Sequence, residues 1–319
     1  MIWVAWRQQR TASFVVLGVL VLSGIFLLVT GLNMTHDFQQ SGLSDCLAHT
    51  TKPLDVCGPL GTLFVNQYSS LIPFAAALMI LPILLGAMVG APLVAREFEQ
   101  RTTLLVWMQS ITRTSWLSVK VVLVLGTGLL AGGVLMVLLT WWFSPFSQLI
   151  GSFNPVAFDF SGPVLIAATV LALALGIFAG TLTRRTVFAI FLTLALILAI
   201  RLPVEFGLRP NYEPQITVTW PLAQSDNPPI TLGMQDWSVG QGYIDAQGNK
   251  TNSITCGGTN VGQLTPQQCM QASGYRSNYL SYQPADRFWT FQWIETSLYL
   301  AISALAIGAA FWLVRRRLV

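Results

Sequence analysis

The chain has 319 residues, 53% of them hydrophobic and only 9% charged, with a mean hydropathy of +0.60 and a formal charge of +4. A soluble domain carries about 25% charged residues, so the composition excludes a soluble globular protein and defines an integral membrane one. With lysine at only three positions (Lys52, Lys120, Lys250), a nucleic-acid-binding surface is excluded too.

In chain order, residues 1–11 place Trp3 and Trp6 beside Arg7 and Arg10. Indole rings prefer the headgroup level, and arginines there hold a segment on the cytoplasmic face. Residues 12–32 are uncharged and long enough to cross the hydrocarbon core. The run exceeds the apolar core of a signal peptide and no small-x-small site follows, so it reads as a retained first span. Residues 33–67 read as a polar loop with Cys46 and Cys57. A second span follows at 68–95, bent at Pro73, Pro82 and Pro92.

Residues 96–120 alternate in charge (Arg96, Glu97, Glu99, Arg101) and then place Leu104, Leu105, Trp107, Met108 and Ile111 at helical spacing before Arg113, Trp116 and Lys120. Written from Thr102, this is an amphipathic helix along a surface, suited to receive a push from a cytoplasmic partner. The plainer reading is a connecting loop with positive charge at the membrane edge. Spans three to five follow at 119–143, 162–183 and 186–204, with Arg184-Arg185 as a tight turn between the last two. The loop 144–161 carries only Asp159. Residues 203–286 form the one polar region of domain size and hold Cys256 and Cys269. A sixth span, 288–314, ends in Arg315-Arg316-Arg317.

Six spans put both termini on one side. That side carries 11 of the 17 basic residues: Arg7, Arg10, Arg96, Arg101, Arg113, Lys120, Arg184, Arg185 and the three terminal arginines. The positive-inside rule then places the termini and the 96–120 stretch in the cytoplasm, in a multi-pass plasma-membrane protein with 203–286 outside. All four cysteines fall outside. Local pairs, Cys46–Cys57 and Cys256–Cys269, are favoured over free thiols or a metal site in an oxidising exterior. His36 and His49 share the first loop without ligand spacing and read as surface histidines.

The chain lacks a phosphate-cradling G-x-x-x-x-G-K-[ST], an H-E-x-x-H and a histidine within any span, so no catalysis is expected here. Arg201 and Glu295 lie within spans, where charge is expensive unless paired. They read as an outer-mouth gate or substrate contact, or as a salt bridge joining spans five and six, with Arg287 as the other partner for Glu295. Trp289 and Trp293 suit an aromatic belt. Phe74, Met79, Phe188 and Phe191 could line a cavity, or face lipid, or pack.

These residues carry a resemblance. Ala95-Arg96-Glu97-x-Glu99, Thr102, Arg113 and Lys120 resemble the loop after the second span in permease subunits of ABC exporters of the type-2 permease family (the type V exporter fold). Arg101 stands where that family usually has glycine, and Ser110 where it usually has proline. Leu208-Arg209-Pro210-x-Tyr212-x-Pro214 and Tyr282-Gln-Pro-Ala-Asp-Arg-Phe-Trp-x-Phe-Gln-x-Ile-Glu295 resemble one actinobacterial-looking branch of these permeases.

The resemblance implies an all-α membrane protein of six transmembrane helices. It would have an N-terminal amphipathic connecting helix (1–11, with Trp3, Trp6, Arg7, Arg10), a cytoplasmic coupling helix within 96–120, and a disulfide-containing external region (203–286) between residues 1–202 and a last segment, 287–319. Arg96, Glu97, Glu99, Arg101, Thr102 and Arg113 would couple it to a separate ATPase, present in two copies and holding ATP and Mg. Charge reversal at Glu97 and Glu99 would uncouple ATP turnover and leave folding intact. A second permease copy or paralogue would complete a path lined by spans two and five. Cargo would be amphipathic or hydrophobic: a drug, peptide antibiotic or lipid. Other readings are an ATP-independent channel or carrier subunit, and a sensor with an external ligand-binding region.

Overall fold

The computed structural model describes residues 2–49, 53–100, 112–222, 228–252 and 274–316, with side chains from residue 14 in the first segment and from 56 in the second. Among the described residues, six helical segments are long and apolar enough to cross a membrane, and we number them as spans 1 to 6: Phe14–Gln40, Val56–Glu99, Arg113–Ile150, Val164–Thr183, Thr186–Asn211 and Ala285–Arg316. Span 1 belongs to one helix, Ile2–Gln40, which has neither glycine nor proline before Gly18 to interrupt it. Residues 2–11 are therefore helical and continuous with the span, with no break between them.

Two expectations are corrected. Residues 33–67 are largely helical: the first helix runs on to Gln40, Leu43–His49 follows, and Pro53–Tyr68 leads into span 2. The reason is burial. Phe38, Leu43, Cys57 and Phe64 pack on Trp142, Phe143 and Phe146 at the end of span 3, so apolar residues dispersed in a polar-looking stretch form a buried face. The Cys46–Cys57 disulfide closes this hairpin as expected, while Cys256 and Cys269 lie outside the described residues. Span 2 is segmented near its prolines. Helices Ile72–Ala77 and Ala91–Glu99 start next to Pro73 and Pro92, where a missing N–H is tolerated.

Among the described residues, the region before span 6 holds a small sheet, so the protein is a helical bundle bearing strands rather than all-α. Strands β1 (Ile216–Pro221), β2 (Trp237–Asp245), β3 (Lys250–Thr251) and β4 (Tyr275–Gln283) pair antiparallel in the order β1-β4-β2-β3. β-branched and aromatic residues such as Ile216, Val218, Trp220, Tyr279 and Tyr282 favour this pleated surface. Trp237 stacks on Phe153 (centroids 5.5 Å apart), and Gln235 accepts from the Ser152 amide and hydroxyl, which seats the sheet on the end of span 3.

Span 4 is the axis of the bundle. Of its most apolar window 89% is buried, against 22% for spans 1 and 5, and it packs on spans 2, 3, 5 and 6. Small residues permit this closeness. Gly86 and Gly90 of span 2 lie against Ala172, Leu173 and Gly176 of span 4, and Gly180 lies against Ala91; a Cβ on Gly176 would stand 2.3 Å from the Gly86 carbonyl oxygen. Both pairs have the small-x-x-x-small spacing that lets membrane helices approach backbone to backbone. Span 2 takes a π-helical turn over Gly86–Gly90 at this crossing.

Candidate functional site

The stretch singled out in the sequence lies at the end of the bundle opposite the sheet. Glu97, in the last turn of span 2, is buried. Its Oε1 lies 2.6 Å from the Lys120 ammonium of span 3, and its Oε2 accepts from the Trp116 indole at 3.1 Å. Lys120 also donates to the Leu93 carbonyl (3.2 Å) and lies 4.9 Å over the Trp116 ring. Charge is matched and each polar atom is partnered, which is what makes an ion pair tolerable in an apolar interior. Phe98 meets Trp116 edge-on at 6.1 Å, with the Arg184 guanidinium 5.8 Å from its ring.

Glu99, two residues beyond Glu97, is exposed and reaches a third helix. Its Oε2 accepts from the backbone N–H (3.1 Å) and hydroxyl (2.7 Å) of Thr186, capping the start of span 5. Arg184 makes this approach feasible: it ends span 4 in the left-handed region (φ 55°), so the chain reverses within two residues. On the far side of the connection, the Thr112 hydroxyl caps span 3 by accepting from Ser115 N–H at 3.2 Å. Arg113 opens span 3. Arg101, Thr102 and the apolar positions of the expected coupling helix lie outside the described residues, as do the side chains of Trp3, Trp6, Arg7 and Arg10.

At the sheet end a second buried cluster joins the short helix Pro155–Phe160, span 5 and span 6. Arg209, 2% exposed, donates from Nε and Nη2 to both oxygens of Glu295 (2.9 and 2.8 Å) and from Nη2 to Asp159 (2.8 Å). Arg201 pairs with the other oxygen of Asp159. Tyr299 donates to Glu295 at 2.9 Å and Tyr212 at 3.4 Å, and the Arg209 guanidinium lies 4.2 Å over the Phe158 ring. Burial first, then the charge of Glu295, push the Tyr212 hydroxyl well above its ordinary range and keep it a donor.

This corrects the sequence reading of the outer pair. Glu295 is held by Arg209, not by Arg201 or Arg287. Arg201 takes Asp159, and Arg287 pairs with Glu213 at 2.7 Å beside the sheet. Asp159 lies on the short helix Pro155–Phe160, which Asn154 caps by accepting from Val156 N–H. Arg209 lies in the last turn of span 5, just after a π-helical turn, Val204–Leu208. Arg209 stood in the family-like motif and Asp159 was the one charge of its loop, but nothing in the spacing joined them. Of the four cavity candidates, Phe74, Phe188 and Phe191 are exposed, and Met79 packs at the edge of the cluster around Trp142. None of the four lines the apolar cavity that is walled by spans 1, 2, 3 and 4.

A six-span apolar bundle, clamped at one end by a buried ion pair and capped at the other by a small sheet, defines a polytopic membrane protein of the transporter type. The family model described as ABC-2 membrane transporter related matches residues 17–209, more than half of the chain, and the chain belongs to that family. Membership makes it an ABC-2-type permease, a class that in general works with a partner ATPase. No curated protein and no solved structure matches the chain.

Proposed function

We propose that the chain is the membrane-spanning subunit of an ABC exporter, driven by a separate ATPase that holds ATP and Mg and docks on the segment between Glu99 and Arg113. The observation that carries this reading is the way both ends of that segment are tied into the bundle. Glu97 joins spans 2 and 3 through Lys120 and Trp116, and Glu99 joins span 2 to the start of span 5. A push delivered there reaches three spans at once. Span 4, gripped on several sides, is the fixed member against which they shift. The basic end faces the cytoplasm by the positive-inside rule, and the sheet lies outside as a lid over the exit. Two permeases, identical or paralogous, enclose the path. The apolar spans suit amphipathic or hydrophobic cargo.

The first test is purification of the full chain from native membranes with identification of the proteins that accompany it. A stoichiometric P-loop ATPase, lost when residues 101–111 are replaced by a Gly/Ser linker, supports the proposal. Its repeated absence in mild detergent sinks it. Within the complex, Glu99→Ala should lower substrate-stimulated ATP turnover about fivefold or more while leaving expression unchanged, and Glu99→Gln, which keeps an acceptor oxygen for Thr186, should retain most of it.

A further inference from the structure

Span 1 is seated on span 3 near the sheet and parts from it toward the Glu97 end. Near the sheet Leu27, Met34 and Phe38 are buried, the Trp142 indole donates to Thr30 Oγ1 at 2.9 Å, and Gly31 lies against the Trp141 ring. Toward the other end Phe14 and Leu17 are 65% and 54% exposed, and a Cβ on Gly18 or Gly126 would meet nothing within 4 Å. The divergence leaves a cavity of about 320 Å³, walled by Leu17 and Leu20 of span 1, Leu85 of span 2, Val124 and Ala131 of span 3, and Leu173 of span 4.

The wall is apolar. Its one polar side chain, Thr127, already donates its hydroxyl to the Val124 carbonyl at 3.0 Å. Every lining residue lies in a membrane span, and the cavity opens sideways past Leu130, which is 74% exposed. A polar ligand would lose its hydration here and gain no partner. A flexible hydrocarbon chain meets no such objection, it is what surrounds the span at this depth, and it restores the dispersion contacts that an unfilled cleft forgoes.

We propose that this cleft is a binding site for one acyl chain of a membrane phospholipid, which enters sideways between spans 1 and 3. The site does not depend on the exporter reading, since it requires no ATPase and no cargo.

The test uses the full chain in phosphatidylglycerol nanodiscs containing a trace of phospholipid with a diazirine on one acyl chain, followed by peptide mapping after irradiation. The expected labelling saturates with probe, is displaced by excess unlabelled lipid, and falls on residues 14–20 and 124–134 several-fold above the Phe188 and Phe191 face of span 5. Ala131→Leu, which fills the cleft, should abolish the focal labelling and leave the span 5 labelling unchanged. Labelling spread evenly over all exposed apolar faces, or linear in probe, overturns the proposal on the wild-type protein alone, whatever the variant's fate. Focal labelling that survives in a folded Ala131→Leu protein overturns it too, as does a co-purified polypeptide or added hydrophobic cargo occupying the cleft in place of lipid.

Discussion

At the Glu97 end, one carboxylate and one ammonium close across a single connection, reinforced by an indole and a backbone carbonyl. At the sheet end, two carboxylates and two guanidiniums come from a short helix, two positions of span 5 and span 6, with partners 42, 50 and 86 positions apart. Both clusters balance their charge, but they share it differently. Among the described residues, the first joins one carboxylate to one ammonium. In the second Arg209 serves two acids, Asp159 serves two arginines, and two tyrosines also bond to Glu295. Losing either member of one buried pair removes the other's main compensation, whereas a shared network keeps part of it. The Glu97–Lys120 pair clamps the connection on which the proposed ATPase would push, and the network gathers elements that must stay together beneath the sheet.

The largest effect is therefore expected at Glu97. Glu97→Lys places two ammonium groups side by side in the interior and removes the acceptor that Glu97 gives the Trp116 indole, at a cost of about 3–5 kcal/mol or more. This corrects the expectation that charge reversal there would leave folding intact; of the two carboxylates only exposed Glu99 can be changed without disturbing the interior. Thermal unfolding in detergent should show a collapse for Glu97→Lys and substantial recovery for the neutral pair Glu97→Gln with Lys120→Met. A single variant as stable as wild type would mean that the pair contributes nothing. Arg209→Met should cost less, about 3 kcal/mol, because Arg201 stays on Asp159 and both tyrosines stay on Glu295. Adding Glu295→Gln should restore part of it. Equal losses at the two ends would refute the distinction between the Glu97–Lys120 pair and the network.

The same difference explains what could be read in the sequence. Residues 96–120 stood out because Glu97, Trp116 and Lys120 flank one connection in a fixed spacing. The six spans announced themselves by hydropathy, and Cys46–Cys57 by proximity in the chain. Asp159 and Arg209 did not, since which distant charge meets which is decided by the docking of Pro155–Phe160 and by the π-helical turn at Val204–Leu208, neither of which has a periodic signature. The strands were hidden in a polar region whose most ordered member, β4, is nearly continuously buried along its middle instead of alternating. Gly86-x-x-x-Gly90 and Gly176-x-x-x-Gly180 were visible and went unread, though their spacing alone proposes a close crossing of spans 2 and 4.

That crossing lies between the two clusters and offers a change that touches neither charge set. In Gly176→Val a Cβ is forced to 2.3 Å from the Gly86 carbonyl oxygen, so backbone must move apart rather than a side chain give way. Overpacking of this kind costs about 1–3 kcal/mol, below the loss expected from either broken ion cluster. If span 4 is the shared axis, cysteine cross-linking yields between spans 2 and 4 should fall along the whole length of the interface and not at one end. A loss confined to one end would mean that the ends are set independently of the crossing.

Asp245 supplies the exposed carboxylate against which both buried clusters can be judged. It closes the β2–β3 turn, accepting from the Asn249 side chain at 2.9 Å and from the Gln247 and Asn249 amides at 2.9 and 2.8 Å. The Asn249 side chain first, and then these backbone amides, hold its carboxyl below the usual range. A depressed value in the folded state means that its contribution is present above the unfolded carboxylate pKa, near 3.9, and is lost as pH falls through the folded value. Water competes for every one of these bonds, so Asp245→Asn should have the smallest effect of the series at neutral pH, and the gap from wild type should close on acidification below the folded value. Unfolding of the two proteins compared across pH 2 to 7 reads this directly. A loss at neutral pH as large as that of Arg209→Met would show that bonding pattern, and not burial, sets the worth of a carboxylate in this protein.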